Sequence, residues 1–282
     1  MAEKRQTTFF DRRARRCAII TTLTYDYPHG HNVPWHFHEW DQLVYASHGV
    51  MTVRTEEGSW VVPAQRAVWI PAKTSHGIRM SGRVCMRTLY LKPHLGHGLP
   101  GRCEVVNVSP LLRELILHAC EMPELSKKRR DHGRLAGIIL DQLKAAECVP
   151  LQLPEPIDQR SLRVARALLD DPSDQRRLQE LCDRVGANKR TIERLFLMET
   201  RMTFGKWRQQ LRLLHALRLL AEGTKITQVA LEAGYSTPSA FISMFRKTLG
   251  TTPGRYFTNL PQPASTNRRR QDRQFQMRSK KR

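Results

Sequence analysis

Between residues 18 and 92, apolar and polar positions alternate strand-fashion in short runs such as QLVYAS, VMTVRT, GSWVVP, QRAVWIP and VCMRTLYL. These runs are rich in β-branched and aromatic residues, which suit a pleated surface. HG, EEG, PA and SG punctuate them, and strands so spaced predict an antiparallel barrel or sandwich. The period then lengthens. SPLLRELILHACEM (109–122) and DHGRLAGIILDQLKAAE (131–147) carry apolar residues three and four apart, with Ser109-Pro110 as a helix start. Leu135, Ile138, Ile139 and Leu143 form one stripe, which fits either packing on its own domain or a partner helix. CVPLQLPEPIDQ (148–159) has no helical period and reads as a proline-rich linker. From Arg160 to about Phe257 the chain is helical and basic.

Within that basic half, LQELCDRVGANKRTIERLFLMETRMTFGKW (178–207) and ITQVALEAGYSTPSAFISMFRKTLGTTPGRY (226–256) repeat one another, with Gly186 matching Gly234 and Phe196 matching Phe245. Each copy predicts a short helix, a glycine turn and a second helix, the pattern of a helix-turn-helix. Asn188 caps the second helix of the first copy, and Thr237 with Pro238 opens that of the second. Residues 204–223 between the copies predict one amphipathic helix. At ~1.5 Å per residue it spans roughly 30 Å, close to the ~34 Å between successive major grooves on one face of DNA.

Composition narrows the partners. The 282-residue chain carries a formal net charge of +21, which points to a polyanion, nucleic acid first and an anionic membrane surface second. No apolar run approaches the ~20 residues of a membrane span. The start, MAEKRQTTFFDRRARRC, is a basic tail without an apolar signal core, and its Glu3 and Asp11 argue against an organellar presequence. A cytoplasmic protein is expected. The six cysteines are scattered with no C-x-x-C pair, which indicates neither a zinc ribbon nor a disulfide framework and predicts mostly small buried hydrophobes.

Residues 160–257 resemble the DNA-binding domain of AraC/XylS-type transcriptional regulators. RVGANKRTIERLFLMET, the long connecting helix and VALEAGYSTPSAFISMFRKTLGTTPGRYF carry the resemblance. It implies two recognition helices entering adjacent major grooves. The first offers Lys189, Arg190, Glu193 and Arg194 behind Asn188; arginine forks suit guanine, and a glutamate can accept from cytosine. The second offers Thr237, Ser239 and Ser243. The family often has Arg or Lys where Ser243 stands, so this copy is expected to hold phosphates through Arg246 and Lys247. Arg201 occupies a turn position where Gly is common. Thr203 and Thr252, ahead of helix starts, are expected phosphate contacts.

The first half resembles the cupin-type sensor domain that many such regulators carry. The resemblance rests on VPWHFHEWDQLVYASHGV (33–50), preceded by Gly30, and on PAKTSH (71–76). It supplies three of the four usual metal ligands, His36, His38 and His76, with Gln42 in place of the carboxylate and Lys73 in place of a turn glycine. Histidines two apart on a strand point to one face. Three readings stay open. The histidines and Gln42 can be polar fingers in a small-molecule pocket walled by Trp35, Trp40, Tyr45, Trp60 and Trp69. They can hold zinc, iron, nickel or copper with open positions, or they can be structural. Imidazoles can also sense protonation near neutrality. A neutral amide at position 42 brings no charge to offset a divalent cation, so the pocket is preferred and no cofactor is expected.

No glycine-rich phosphate loop, nucleophile elbow or paired acid–base carboxylates occur. The expectation is therefore an α+β multidomain regulator and not an enzyme. It comprises a basic N-terminal tail (1–17), a cupin-like antiparallel barrel (18–107), a helical dimerisation or transmission segment (108–147), the linker (148–159), a double helix-turn-helix (160–260) and a basic tail (261–282). Double-stranded promoter DNA, a small-molecule effector, a second copy of the chain and RNA polymerase are the expected partners. The alternative is a metal-dependent cupin dioxygenase or isomerase with a basic appendage that associates with DNA.

Overall fold

The computed structural model describes residues 17–93 and 95–258. The two basic tails, apart from Cys17, lie outside this range, as does His94. Among the described residues, nine strands form one antiparallel sheet: β1 (Ala18–Tyr27), β2 (Asn32–His36), β3 (Asp41–Thr55), β4 (Gly58–Pro63), β5 (Arg66–Ile70), β6 (His76–Leu91), β7 (Glu104–Asn107), β8 (Glu124–Ser126) and β9 (Gln152–Pro154). Their order is β7-β5-β3-β6-β1-β8, with β2 on β6, β4 on β3 and β9 on β4.

The backbone of the sheet is the β3–β6 pair, in register from Asp41↔Leu91 to Thr55↔His76. HG and SG, expected as turns between short strands, lie inside these two long strands. The pairing slips on either side of His48, and a bulge there bends the strand without ending it. Gly49 has φ +82°, and a Cβ on it would sit 2.3 Å from the Arg83 carbonyl oxygen, so the close crossing needs glycine. Past the bend each strand changes partner. β3 pairs first with β5 and then with β4; β6 pairs first with β2 and then with β1.

Alternation sends Leu43 and Tyr45 to one face and Val44 and Ala46 to the other. The first face packs under α1 (Pro110–Cys120) and α2 (Arg130–Lys144) with Trp69, Leu89 and Leu91. Ser109 caps α1 by accepting from the Leu112 amide at 3.1 Å, and Pro110 follows it. The α2 stripe divides: Ile139 and Leu143 are buried, whereas Ile138 remains 46% exposed.

Residues 148–159 are not a free linker. Leu151 and Leu153 are buried, and β9 pairs with β4 from Gly58↔Pro154 to Trp60↔Gln152. Proline ends helices but is tolerated on an edge strand, and this edge is where the segment lies.

The basic half contains α3 (Gln159–Asp170), α4 (Leu178–Val185), α5 (Lys189–Thr200), α6 (Phe204–Ala221), α7 (Ile226–Glu232), α8 (Pro238–Leu249) and α9 (Pro253–Thr258). Its core is continuous with that of the sheet half through α6, whose Trp207, Leu211, Leu213, Leu214 and Leu217 are buried. Trp207 Nε1 donates to the Pro154 carbonyl at 2.8 Å, and the Gln210 amide donates to the carbonyls of Pro150 and Gln152. Among the described residues no helix is long and apolar enough to cross a membrane. No described cysteine is in a disulfide. Cys85, Cys103 and Cys182 are buried, but Cys148 is exposed and its thiol donates to Glu104 at 2.8 Å.

Candidate nucleic-acid interface and sensor pocket

Both helix-turn-helix copies form as their local signals require. Gly186 (φ +63°) and Gly234 (φ +77°) take the left-handed conformation in the two turns. The Asn188 side chain accepts from the Arg190 amide at 2.8 Å, and Thr237 accepts from the Ala240 amide at 3.2 Å ahead of Pro238. α6 is unbroken over 18 residues, ending at Ala221 rather than residue 223. From α6, Arg208 and Arg212 donate to the Asp174 carbonyl, and Arg212 also packs over the Tyr235 ring at 5.9 Å. These contacts tie the loop between α3 and α4, and the second copy, to one rod.

On α5, Lys189, Arg190, Glu193 and Arg194 are all exposed, while Ile192 and Phe196 are in the core. Lys189 Nζ lies 4.0 Å from Glu193 Oε1. Arg190, Glu193, Arg194 and Thr203 line one cleft of about 570 Å³ with Leu178, Leu197 and Phe204. Arg201 is exposed with φ +60°, so it adopts the turn geometry in which glycine was expected. On α8, Ser239, Ser243, Arg246 and Lys247 are exposed. Thr252, half-buried, starts α9 by accepting the Tyr256 amide at 2.9 Å through its carbonyl. The sequence reading missed Leu197, 53% exposed on the α5 surface. Its spacing from Arg190 and Arg194 was the available signal.

In the barrel, β2 ends at His36, which pairs across with His76 at the start of β6. His38 therefore joins them from just beyond the strand, not by simple alternation along it. Its carbonyl accepts from the Lys73 amide at 2.7 Å, and Lys73 takes φ +66° in the position of the usual glycine. The ring centroids of His36 lie 4.7 Å from His38 and 4.3 Å from His76. His36 Nδ1 bonds the Pro34 carbonyl at 2.7 Å and His76 Nδ1 bonds the Thr74 carbonyl at 2.9 Å. Each carbonyl can only accept, so it selects the Nδ1–H tautomer and leaves Nε2 as the lone-pair atom.

Burial pushes the His38 pKa down to about 3 and that of His76 down to about 4, with the neighbouring imidazoles lowering His38 further; burial lowers His36 too. Each of these shifts favours the neutral imidazole. Gln42 is buried on the same side as Val44 and hydrogen-bonds Tyr90, whose ring is 4.8 Å from His38. Tyr90 was missed by the sequence reading, although the Gln42↔Tyr90 register places it there.

Three expected wall residues do not line this pocket. Trp35 is 52% exposed. Tyr45 and Trp69 occupy the opposite, helix-covered face, where Trp69 Nε1 donates to the Pro100 carbonyl at 2.9 Å. Trp60 is buried in the barrel core and Trp40 is half-buried.

A family model described as an AraC-like ligand binding domain matches residues 20–204, and a helix-turn-helix domain model matches residues 181–259. The chain belongs to the AraC family of transcriptional regulators. Among its AraC-family relatives, the HTH-type transcriptional regulator NimR of Escherichia coli K12 is 33% identical over 227 residues, 80% of this chain and 83% of that protein. The regulator RipA of Corynebacterium glutamicum is 34% identical over 105 residues, 37% of this chain and 32% of that protein. A crystal structure of fatty-acid-bound ToxT from Vibrio cholerae aligns with 89% of this chain and 100% of that one at 14% identity, with a TM-score of 0.37. As an AraC-family regulator, the protein joins a ligand-binding half to a DNA-binding half.

Proposed function

We propose that the protein is a non-enzymatic cytoplasmic transcription factor that reads promoter DNA with α5 and α8 and responds to an organic effector at the His36, His38, Gln42 and His76 pocket. The observation that carries the DNA-reading part is the pair of exposed polar recognition faces joined by the unbroken α6. Arg190 and Arg194 reach guanine edges, Lys189 and Glu193 adjust to the neighbouring bases, and Leu197 suits a thymine methyl. Asn188 and Thr237 fix the helix starts. Arg201, Thr203, Arg246, Lys247 and Thr252 hold the phosphate backbone, and Ser239 and Ser243 face the groove in the second copy.

The pocket has a direct line to the rod. β6 begins at His76 and passes Gly82, where an added Cβ would lie 2.2 Å from the carbonyl oxygen of Ala221 at the end of α6. An effector that favours one arrangement of β6 shifts the DNA-bound population by its differential affinity. Leu111 and Ile138, exposed on α1 and α2, support a homodimer through these helices, and RNA polymerase is the partner on DNA.

Footprinting of the purified protein across genomic DNA supplies the sites. On those sites, Arg190→Ala and Arg194→Ala are expected to weaken specific binding by about 1–3 kcal/mol each while changing nonspecific binding less. Equal loss on both kinds of DNA would reduce these side chains to phosphate contacts.

A second reading has its own support. The ligand atoms of His36, His38 and His76 all lie within 4.8 Å of one another, and two rings carry the carbonyl-fixed tautomer common in metal sites. The residues fit a transition metal held by three neutral imidazoles, which would supply Lewis-acid chemistry to a bound molecule. Metal analysis of protein purified without chelator decides between them: a stoichiometric metal lost in His76→Ala supports this reading.

A further inference from the structure

The outer face of the β3–β6 ladder, which α6 covers, contains an unbalanced group of charges. Arg79 sits opposite Thr52, and Arg54 opposite Gly77. The two arginines are therefore diagonal neighbours on one face, a separation of about 7–8 Å that long side chains bridge. Arg218 comes to the same place from α6, one turn before Ala221, whose carbonyl abuts Gly82 of β6. Burial lowers the Arg218 pKa, and the facing Arg54 and Arg79 lower it further against the opposing pull of Glu222.

Several guanidinium groups elsewhere are matched by a carboxylate. Arg87 meets Asp26 at 3.0 Å, Arg160 meets Asp158 at 2.9 Å, and Arg176 pairs with Asp174. Among the described residues, Arg54, Arg79 and Arg218 have no carboxylate within 4.0 Å. Among the described residues Arg218 hydrogen-bonds only His215 Nδ1, at 3.5 Å. The Thr52 hydroxyl, directly across from Arg79, is buried with no hydrogen-bond partner among the described residues.

We infer that Arg54, Arg79 and Arg218, with the Thr52 hydroxyl, form a binding site for a small anion, a carboxylate or a phosphate, between the sensor sheet and the α6 rod. Planar guanidinium forks match the paired oxygens of both groups. The buried hydroxyl supplies a further donor. Two of the arginines belong to the sensor and one to the rod that joins the recognition helices. A bound anion turns their mutual repulsion into a shared attraction and clamps the rod to the sheet. The site lies on the face of the ladder opposite the barrel interior and does not depend on what the histidine pocket binds.

The test is calorimetric titration of the full chain with inorganic phosphate and, separately, with succinate, at constant ionic strength. Saturable binding of at least one anion is expected. The affinity should fall at least tenfold in Arg218→Gln and in the double variant Arg54→Gln/Arg79→Gln, whose positions are exposed enough to leave folding intact. Arg129→Gln, paired with Asp131 at the start of α2, should bind as the parent does. Preference between the two probes identifies the phosphoryl or carboxylate source. No saturable binding of either anion, or affinities unchanged in the variants, overturns the inference. So does displacement of the anion by a short DNA duplex, which would assign the arginines to the nucleic-acid backbone.

Discussion

The two helix-turn-helix copies share a scaffold and differ in what it presents. Each has a left-handed glycine in the turn, a side-chain cap on the second helix, and a buried phenylalanine, Phe196 or Phe245, holding that helix to the core. The first exposes Lys189, Arg190 and Arg194; the second exposes Ser239, Ala240 and Ser243 and keeps Arg246 and Lys247 for its far end. The scaffold answers to local backbone needs and to one apolar stripe. The reading surface is free of both and can diverge. On the proposed function, the first copy would supply base selectivity and the second grip.

The largest expected break in this comparison is in the turns. A Cβ on Gly234 would lie 2.6 Å from Arg212 Nη2, whereas nothing lies within 4 Å of one on Gly186. Both substitutions to Ala incur the left-handed penalty of roughly 1–2 kcal/mol. Only Gly234→Ala also displaces Arg212 from the Asp174 carbonyl and the Tyr235 ring, adding about 1 kcal/mol. Urea unfolding should therefore rank Gly234→Ala as the more damaging change; equal midpoints would show that Arg212 moves aside without loss.

Next come the reading residues. Arg190→Ala should weaken cognate DNA binding by about 1–3 kcal/mol, while Ser243→Ala should stay within about 0.5 kcal/mol. Fluorescence anisotropy on cognate and scrambled duplexes checks both, and a large, sequence-dependent loss at Ser243 would overturn the division of labour. Arg246→Ala and Lys247→Ala should weaken binding alike on all sequences and reduce the salt slope by about one each.

A separate expected effect is a pH dependence of stability in the rod common to both copies. Burial first, then the neighbouring Arg218, lowers the His215 pKa from 6.5 to about 4. As pH falls, the unfolded chain takes up the proton first, so stability declines between pH 6.5 and about 4. Above that window His215 contributes no slope. Denaturation midpoints of the parent and His215→Gln at pH 7 and pH 5 (a window set by the histidine linkage) should show a shallower acid loss in the variant.

Legibility in the sequence followed the range of the interaction. Gly186, Asn188, Thr237 and Pro238 signal their roles within a few residues, and the structure places each as that signal implies. The pocket was half legible: His36, His38, Gln42 and His76 do converge, but Trp35, Tyr45 and Trp69 do not join them. Alternation separates two faces of a strand without saying which face encloses the pocket, because in this sheet both are buried. HG and SG read as turns since a glycine bulge and a glycine turn use the same backbone conformation.

The chain's own pattern determined the strand-rich first half, the doubled helical unit and the rod between its copies, because propensity, capping and glycine turns act over a few neighbouring residues. Folding in three dimensions decided the rest. It bent β3 and β6 so that they change partners, seated the proline-rich segment on the β4 edge, and laid α6 against the sensor sheet. Those outcomes depend on which apolar surfaces meet across long stretches of chain, and burial of that kind has no signature in any short window of residues.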